Sequence, residues 1–592
     1  MHTTSTQQTT IAAIPIEILD IIISKLGRQH IAACVLANQA WYNIFSPYLW
    51  RSIHYINPNK GQQQRTIPVH FHGDLTRESR FYLRLKRCIE AGALVRNGHW
   101  IHKIDLHHYG IAALLANYGE TCTNLLDLKI YFSLDPEMHR LDNGREGGDG
   151  GQEVVVDLLP LIKILLRNPG LRRLSLERAM VNENNPDFVR LLDSIPESIE
   201  SVDFENWDPI FSKRRFYFEE KDYRQDGNGE EDNIINREDD CDINDDNTSK
   251  AITVPITTGH LSNLKRLSFK QFALDHQKQT LRRLLPRCLN LETIVLDISY
   301  KVMPLNFFSS LLQQHCPKLR NLFILHEWDA FSDEGLADIL RASTAGWKCL
   351  GLPQQPYDPH AFGPLSIAAL LRHAGTLENL RLDGSRLLPS SAIQELLSSA
   401  PSLRRFDAIR KDRSLVADFE LDANDVVSGK PWVCSELESL KLRIVGVPRP
   451  DLTRRVNGRP LEGPLHQGTM QESRRIQLGV YQQLGRLTNL KQLVLGHDDV
   501  DVTRGCLHDE KLFEGEYYRE GDAIQRGHQY ECLEMTVESG MDAMVGMREL
   551  RVLELGAMEV GGLDRRWTEK NWPQLGSEYK DTFWTELGYR EY

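Results

Sequence analysis

The sequence predicts an α/β solenoid, a parallel sheet on one side with helices on the other, preceded by a small all-α unit. A phrase with leucine at its first, fourth and sixth positions occurs five times, as LRRLSL from Leu171, LENLRL from Leu377, LESLKL from Leu437, LKQLVL from Leu490 and LRVLEL from Leu550. Leucine is about one residue in seven, so chance supplies roughly one or two such matches in this length. Other large apolar residues at the same positions add IHKIDL from Ile101, LLDLKI from Leu125, IESVDF from Ile199, LKRLSF from Leu264, LETIVL from Leu291, LRNLFI from Leu319, WKCLGL from Trp347 and LRRFDA from Leu403. The starts at 264, 291, 319, 347, 377 and 403 are separated by 27, 28, 28, 30 and 26 residues.

That spacing is the period of leucine-rich repeats. Between the phrases lie LRRLLPRC, FSSLLQQHCP, LADILRAS, IAALLRHAG and IQELLSSAP, each a short amphipathic helix closed by Pro, Gly or a small residue. One strand and one helix cannot bury their own leucines, so stacked copies share a continuous core. Within each phrase the leucines point inward, and alternate residues such as Arg173, Ser175, Asn379 and Arg381 project from the opposite face. The intervals from 199 to 264, 437 to 490 and 490 to 550 are longer, at 65, 53 and 60 residues, and hold insertions or degenerate repeats. Residues 142–152 are Gly-rich and polar and 219–249 rich in Asp, Glu and Asn, so both are expected to be flexible insertions, with a third near 448–475.

At 592 residues the chain exceeds the usual single-core limit, which fits growth by repetition. The formal charge of −12 is concentrated: Glu219 to Asn247 holds thirteen Asp and Glu against three Lys and Arg, which leaves about −2 elsewhere. No basic face points to nucleic acid or a membrane surface. The polar first ten residues lack a basic and apolar leader, and the apolar run Ile11 to Leu26 carries Glu17, Asp20 and Lys25, so a cytoplasmic or nuclear protein is expected. Ten cysteines stand singly, without Cys-x-x-Cys, and are expected to be small buried apolar residues in a reducing compartment.

Ahead of the repeats, Ile14, Ile18, Leu19, Ile22 and Leu26 fall at helical spacing, and Ile16, Ile21 and Ile23 make that helix apolar on more than one face. A second helical run carries Ile31, Val35, Leu36, Trp41, Ile44 and Phe45, then Pro47, Leu49 and Trp50. About forty residues make a core too small to cover all of these side chains, so a partner is expected on part of the surface. The order IPIEIL, a helical spacer and CVLANQAWYNIFSPYLWRSI resembles the F-box over residues 14–53, a family whose pattern runs Leu-Pro-x-Glu-Ile-Leu, a helix, a Val-Cys-x-x-Trp region and a closing Leu-Trp. Ile14 replaces the first leucine, and Ala37, Asn38 and Gln39 stand where Val, Cys and a basic residue are usual; Pro15, Glu17, Ile18, Leu19, Trp41, Leu49 and Trp50 are in register.

The resemblance implies docking on a Skp-type adaptor and, through it, on a cullin ubiquitin ligase, with Ile14, Pro15, Ile18, Leu19, Ile22, Leu36, Trp41, Leu49 and Trp50 as the adaptor-binding residues. A self-contained cap for the solenoid is the alternative for this unit. The expected organisation is a disordered 1–13, an F-box at 14–53, a linker and helical lead-in at 54–99 and the repeat solenoid at 100–592. Outward residues of successive strands, Arg173, Arg266, Arg381 and Lys441, are the candidates for contact with a protein substrate.

Chemistry of other kinds finds little footing. Asp240, Asp242 and Asn244 imitate the start of a calcium loop, but Asp245 replaces its turn glycine and Ala251 its last carboxylate. The pairs His70 and His72, and His107 and His108, lack identifiable further ligands, so neither metal nor cofactor is expected. No phosphate loop, His-Glu-x-x-His helix or nucleophile elbow occurs, which argues against an enzyme. Arg449, Arg454, Arg455 and Arg459 are read as a solvated loop, the acidic run likewise, and Lys213 to Arg215 is too short a basic run to assign nuclear import. The expected function is substrate recognition within a ubiquitin ligase; a scaffold that assembles partners without ubiquitin transfer is the rival.

Overall fold

The computed structural model describes residues 14–54, 75–106, 110–131, 157–177, 186–207, 259–272, 280–296, 305–325, 332–352, 362–382, 388–408, 420–448, 450, 453–456, 459–464, 468–495, 533–554, 565–579 and 583–586. The expected disordered 1–13 and the insertions at 142–152 and 219–249 lie outside them.

Alternating apolar residues build the strands, and equal spacing stacks them. The strands are β1 (Ser52–His54), β2 (Lys103–Leu106), β3 (Asp127–Tyr131), β4 (Arg173–Glu177), β5 (Ser201–Trp207), β6 (Arg266–Phe272), β7 (Thr293–Leu296), β8 (Asn321–Ile324), β9 (Cys349–Leu352), β10 (Asn379–Leu382) and β11 (Arg405–Asp407). After them come β12 (Glu420–Asp422), β13 (Ser439–Lys441), β14 (Arg443–Val445), β15 (Thr453–Val456), β16 (Arg459–Pro464), β17 (Gln492–Val494) and β18 (Val552–Glu554). Fourteen of these, β1 to β11 with β13, β17 and β18, form one sheet whose spatial order is the chain order. Every adjacent pair in it is parallel, as successive crossovers in a stacked array require.

Register follows the phrase. The fourth-position residues align as a row through Leu174, Val202, Leu267, Ile294, Leu322, Leu350, Leu380, Phe406, Leu440 and Leu493. All are buried in a single core that also takes the apolar stripes of helices such as Leu159–Arg167, Asp333–Arg341 and Ser390–Leu397. Each leucine so enclosed contributes about 1.5–3 kcal/mol. Helix Asp333–Arg341 shows how the units are fastened: the Ser332 hydroxyl accepts from the Gly335 N–H at 3.1 Å, and the Asp333 carboxylate accepts from the N–H groups of Gly363, Leu365 and Ser366 at 2.8–3.0 Å, holding the start of helix Pro364–Leu371.

The longest interval leaves the sheet intact. β5 and β6 pair from Ser201 opposite Arg266 to Trp207 opposite Phe272, and Arg283 ties the two units with Nε 3.0 Å from Asp193 Oδ1. Two boundaries differ from the sequence reading. The sheet begins at β1 and not at residue 100: Ser52–His54 follows the helical unit directly and pairs with Lys103–Asp105, although it carries no leucine phrase. The expected insertion at 448–475 contains the β15–β16 hairpin and the first turns of helix Met470–Leu484, whose Ile476, Val480, Tyr481 and Leu484 are buried in the core. Much of the long interval before β17 is therefore the helix of a unit.

Candidate docking surfaces

Three helices precede the sheet: α1 (Ile16–Lys25), α2 (Arg28–Ala37) and α3 (Gln39–Trp50). Pro15 starts α1, its carbonyl accepting from the Ile18 and Leu19 N–H groups, and the Asn38 side chain caps α3 by accepting from the Trp41 N–H at 2.9 Å. Leu19, Ile23, Ile31 and Phe45 form their core, with Ile14, Trp41 and Leu49 half-buried against it. The core uses one face of α1. On the other, Ile18, Ile21 and Ile22, at helical spacings of three and four, remain 47%, 59% and 41% exposed, and Leu36 at the end of α2 is 85% exposed. Ordinary apolar burial would have covered a stripe of this kind.

The unit is joined to the sheet by Arg28, whose Nη2 donates to the Ser52 carbonyl at 3.0 Å, by Tyr42 near Asn97, and by Trp50, which packs on the main core. The expected adaptor residues therefore separate into groups. Pro15, Ile18, Ile22 and Leu36 are exposed; Ile14, Trp41, Leu49 and Trp50 are half-buried in packing; Leu19 is a core residue. Ile21 belongs to the exposed stripe by position.

The second surface is the sheet face turned away from the helices. Its fifth-position row runs Asp105, Lys129, Ser175, Asp203, Ser268, Val295, Phe323, Gly351, Arg381, Asp407, Lys441. Ion pairs occupy the first stretch: Lys103 with Asp127 at 3.3 Å, Lys129 with Glu177, Arg266 with Asp203 at 3.8 Å and Lys270 with Glu205 at 3.7 Å. A second charged stretch follows, where Asp407 lies 3.9 Å from Arg381 and 3.5 Å from Lys441. Between them Val295, Phe323 and Gly351 replace the polar residues that the outward position usually holds.

That apolar stretch is covered by the chain's own C-terminal helix, Phe583–Glu586. Trp584 is 3% exposed and clusters with Val295, Phe323 and Cys349, its ring edge-on to Phe323 at 6.2 Å. The Arg381 guanidinium lies 5.7 Å from the Trp584 ring centroid and that of Arg405 4.7 Å from Phe583, both cation–π contacts. Gly351, between Phe323 and Arg381 in the row, adds no side chain to the face here.

The four expected substrate contacts are thus differently placed. Arg173 is exposed, Arg266 is half-exposed and paired with Asp203, Arg381 touches the C-terminal helix, and Lys441 is buried beside Asp407 and so poorly placed to meet a partner. Phe583, Trp584 and Arg405 were not anticipated. A signal existed: the outward residue of three consecutive phrases is Val295, Phe323 and Gly351 where most others carry a charge or serine.

A charged ladder runs along the edge of the array. The second phrase position reads Arg172, Glu200, Lys265, Glu292, Arg320, Lys348, Glu378, Arg404, Glu438, Lys491 and Arg551. Lys348 meets Glu378 at 2.8 Å, and Glu438 lies between Arg404 at 2.7 Å and Lys491 at 3.0 Å. Burial alone would raise the Glu438 carboxyl, but the Lys491 hydrogen bond and both cations outweigh it and hold it below its ordinary value.

Burial pushes the Cys122 thiol up to about 11 and those of Cys316 and Cys434 up to about 12, so these are protonated packing residues at neutral pH. Among the described residues no cluster of three His, Cys, Asp or Glu is placed to hold a metal ion, and no helix is long and apolar enough to cross a membrane. Compared with known proteins, the chain matches no family model and no curated protein.

Proposed function

We propose that this chain is the substrate-recognition subunit of a Skp-cullin-F-box ubiquitin ligase, working in the cytoplasm or nucleus. Residues 14–53, which resemble the F-box, dock the adaptor, and the leucine-rich-repeat solenoid holds a protein substrate. The observation that carries this reading is the uncovered stripe of Ile18, Ile21 and Ile22, with Leu36 also exposed, on a helical unit that packs Leu19, Ile23, Ile31 and Phe45 in a core of its own. The chain's own contribution is positional: a target held near a ubiquitin-loaded enzyme presents its lysines at a raised effective concentration.

Binding of a purified Skp-type adaptor to the full chain, against an Ile18→Asp and Ile22→Asp double variant, tests this. Both positions are exposed, so the variant keeps its fold, which circular dichroism checks. Binding that weakens at least a hundredfold is expected, since a charge placed in a desolvated apolar contact removes its anchors. Failure of the unaltered chain to bind, or equal binding by the folded variant, overturns the proposal.

A further inference from the structure

The geometry points to the outward face of β7 to β11 as a receptor for a linear peptide carrying adjacent aromatic residues, which the chain's own Phe583 and Trp584 occupy in competition with a substrate. This deepens the reading of the sheet as the substrate surface and rests on it. Three features on that face suit an aromatic pair. Val295, Phe323 and Cys349 enclose an indole, with Phe323 meeting it edge-on. Gly351 keeps the row low between Phe323 and Arg381. Arg381 and Arg405 lie at the ring faces of successive aromatic residues, at 5.7 and 4.7 Å. A rigid aromatic seated in a desolvated pocket beside arginine is the composition of an interaction hot spot.

The occupant is a short sequence-local ligand. Its described part is four residues, two of them aromatic anchors, and it is linked to Tyr579 across residues 580–582. Trp584 joins the cluster of Val295, Phe323 and Cys349, with Leu325 and Phe583 packed against it, whereas Trp572, only twelve positions earlier, belongs to the main core. A tether this short holds a weak ligand at an effective concentration of order millimolar, enough to exclude external peptides of modest affinity by about tenfold or more. A substrate must therefore bring a similar aromatic pair and outcompete the tail.

The probe is a fluorescein-labelled peptide of residues 579–592, with a matched peptide whose Phe583 and Trp584 are alanine. Binding by fluorescence anisotropy is measured to the full chain, to a full-length Phe583→Ala and Trp584→Ala variant, and to that variant with Arg381→Ala and Arg405→Ala added. The tail variant is expected to bind the aromatic peptide at least tenfold more tightly than the unaltered chain does, the alanine peptide not to bind, and the added arginine changes to weaken binding severalfold. A chain ending at Lys580 repeats the measurement without a mutated tail. No binding by either folded tail variant makes the contact part of the fold alone and overturns the inference; equal binding by the unaltered chain overturns the competition. Adaptor binding, measured on the same samples, reports separately on the ligase reading.

Discussion

The N-terminal helices and the middle of the sheet both carry apolar side chains beyond what their own cores absorb, and they dispose of them differently. In α1 the inner pair Leu19 and Ile23 is packed while Ile18, Ile21 and Ile22 stay in water. On the sheet, Val295, Phe323 and Cys349 are closed over by Trp584 from the same chain. Exposed apolar area carries a cost of about 25 cal/mol per Å², so the first surface is stabilised only when something else arrives. The second is already satisfied, and any other ligand has to displace what covers it. One surface is therefore left open, and the other is covered from within the chain.

The sharpest way to break this contrast lies within α1. Leu19→Ala should destabilise the helical unit by about 2–5 kcal/mol, whereas Ile18→Ala, one residue away and exposed, should change it by no more than about 0.5 kcal/mol. The opening free energy of α3 amides by hydrogen exchange measures both. Equal effects would mean that the two faces of α1 are not distinguished by packing.

The next effect is on the covered surface. Cys349 lies beneath Trp584, its Sγ accepting from Asn379 Nδ2 at 3.2 Å, and burial holds its thiol above the ordinary value. Trp584→Ala should raise the labelling rate of Cys349 by an alkylating reagent at least tenfold, followed by mass spectrometry of the peptide containing it. An unchanged rate would show that the tail does not shield the face.

Much of the sheet was legible because repetition turns a weak local signal into a strong one. Each of the thirteen phrases lies in a strand of the long sheet, including LRRFDA, whose last leucine is an alanine. β1 was not legible: Ile53 is its one apolar residue, and its pairing with β2 crosses the interval to Lys103. Of the expected adaptor residues, helical spacing alone could not assign Leu19 inward and Ile18 outward, since both faces of α1 are apolar. The tail contact escaped for another reason. Trp584 and Val295 are 289 positions apart, and no period connects them. Only the lapse of the outward polar pattern at Val295, Phe323 and Gly351 marked the spot.

Beneath the covered surface, the helix layer carries a titratable group. His373 is buried, with Nε2 2.8 Å from the Leu340 carbonyl, which also accepts from Trp347 Nε1 at 2.8 Å. Desolvation is the main cause that lowers its pKa, against the backbone hydrogen bond, which raises it. A depressed folded value means that the unfolded chain binds the proton more readily. The resulting stability is present above the unfolded value of about 6.5 and is lost as pH falls through it, with a slope of at most one proton, about 1.4 kcal/mol per pH unit. His373→Gln removes that slope. His54 and His102 are lowered too, chiefly by burial, so the difference between wild type and variant across pH 7 to 5 isolates His373.

The smallest effect belongs to the edge ladder, and it separates what holds the array together from what aligns it. Glu438 joins Arg404 and Lys491 on neighbouring units, with the lysine side chain about a third exposed. Partly solvated pairs of this kind contribute about 0–1 kcal/mol and weaken with salt. Glu438→Gln should therefore lower unfolding stability by about 1 kcal/mol or less at low ionic strength, and by less in 0.5 M sodium chloride, where the Debye length is only about 4 Å. A loss as large as that from deleting a core leucine would mean that the ladder supports the fold. A small, salt-sensitive loss assigns it to register: like charges would meet if a unit slipped out of step, while the leucine rows, nearly identical from unit to unit, resist such slippage much less.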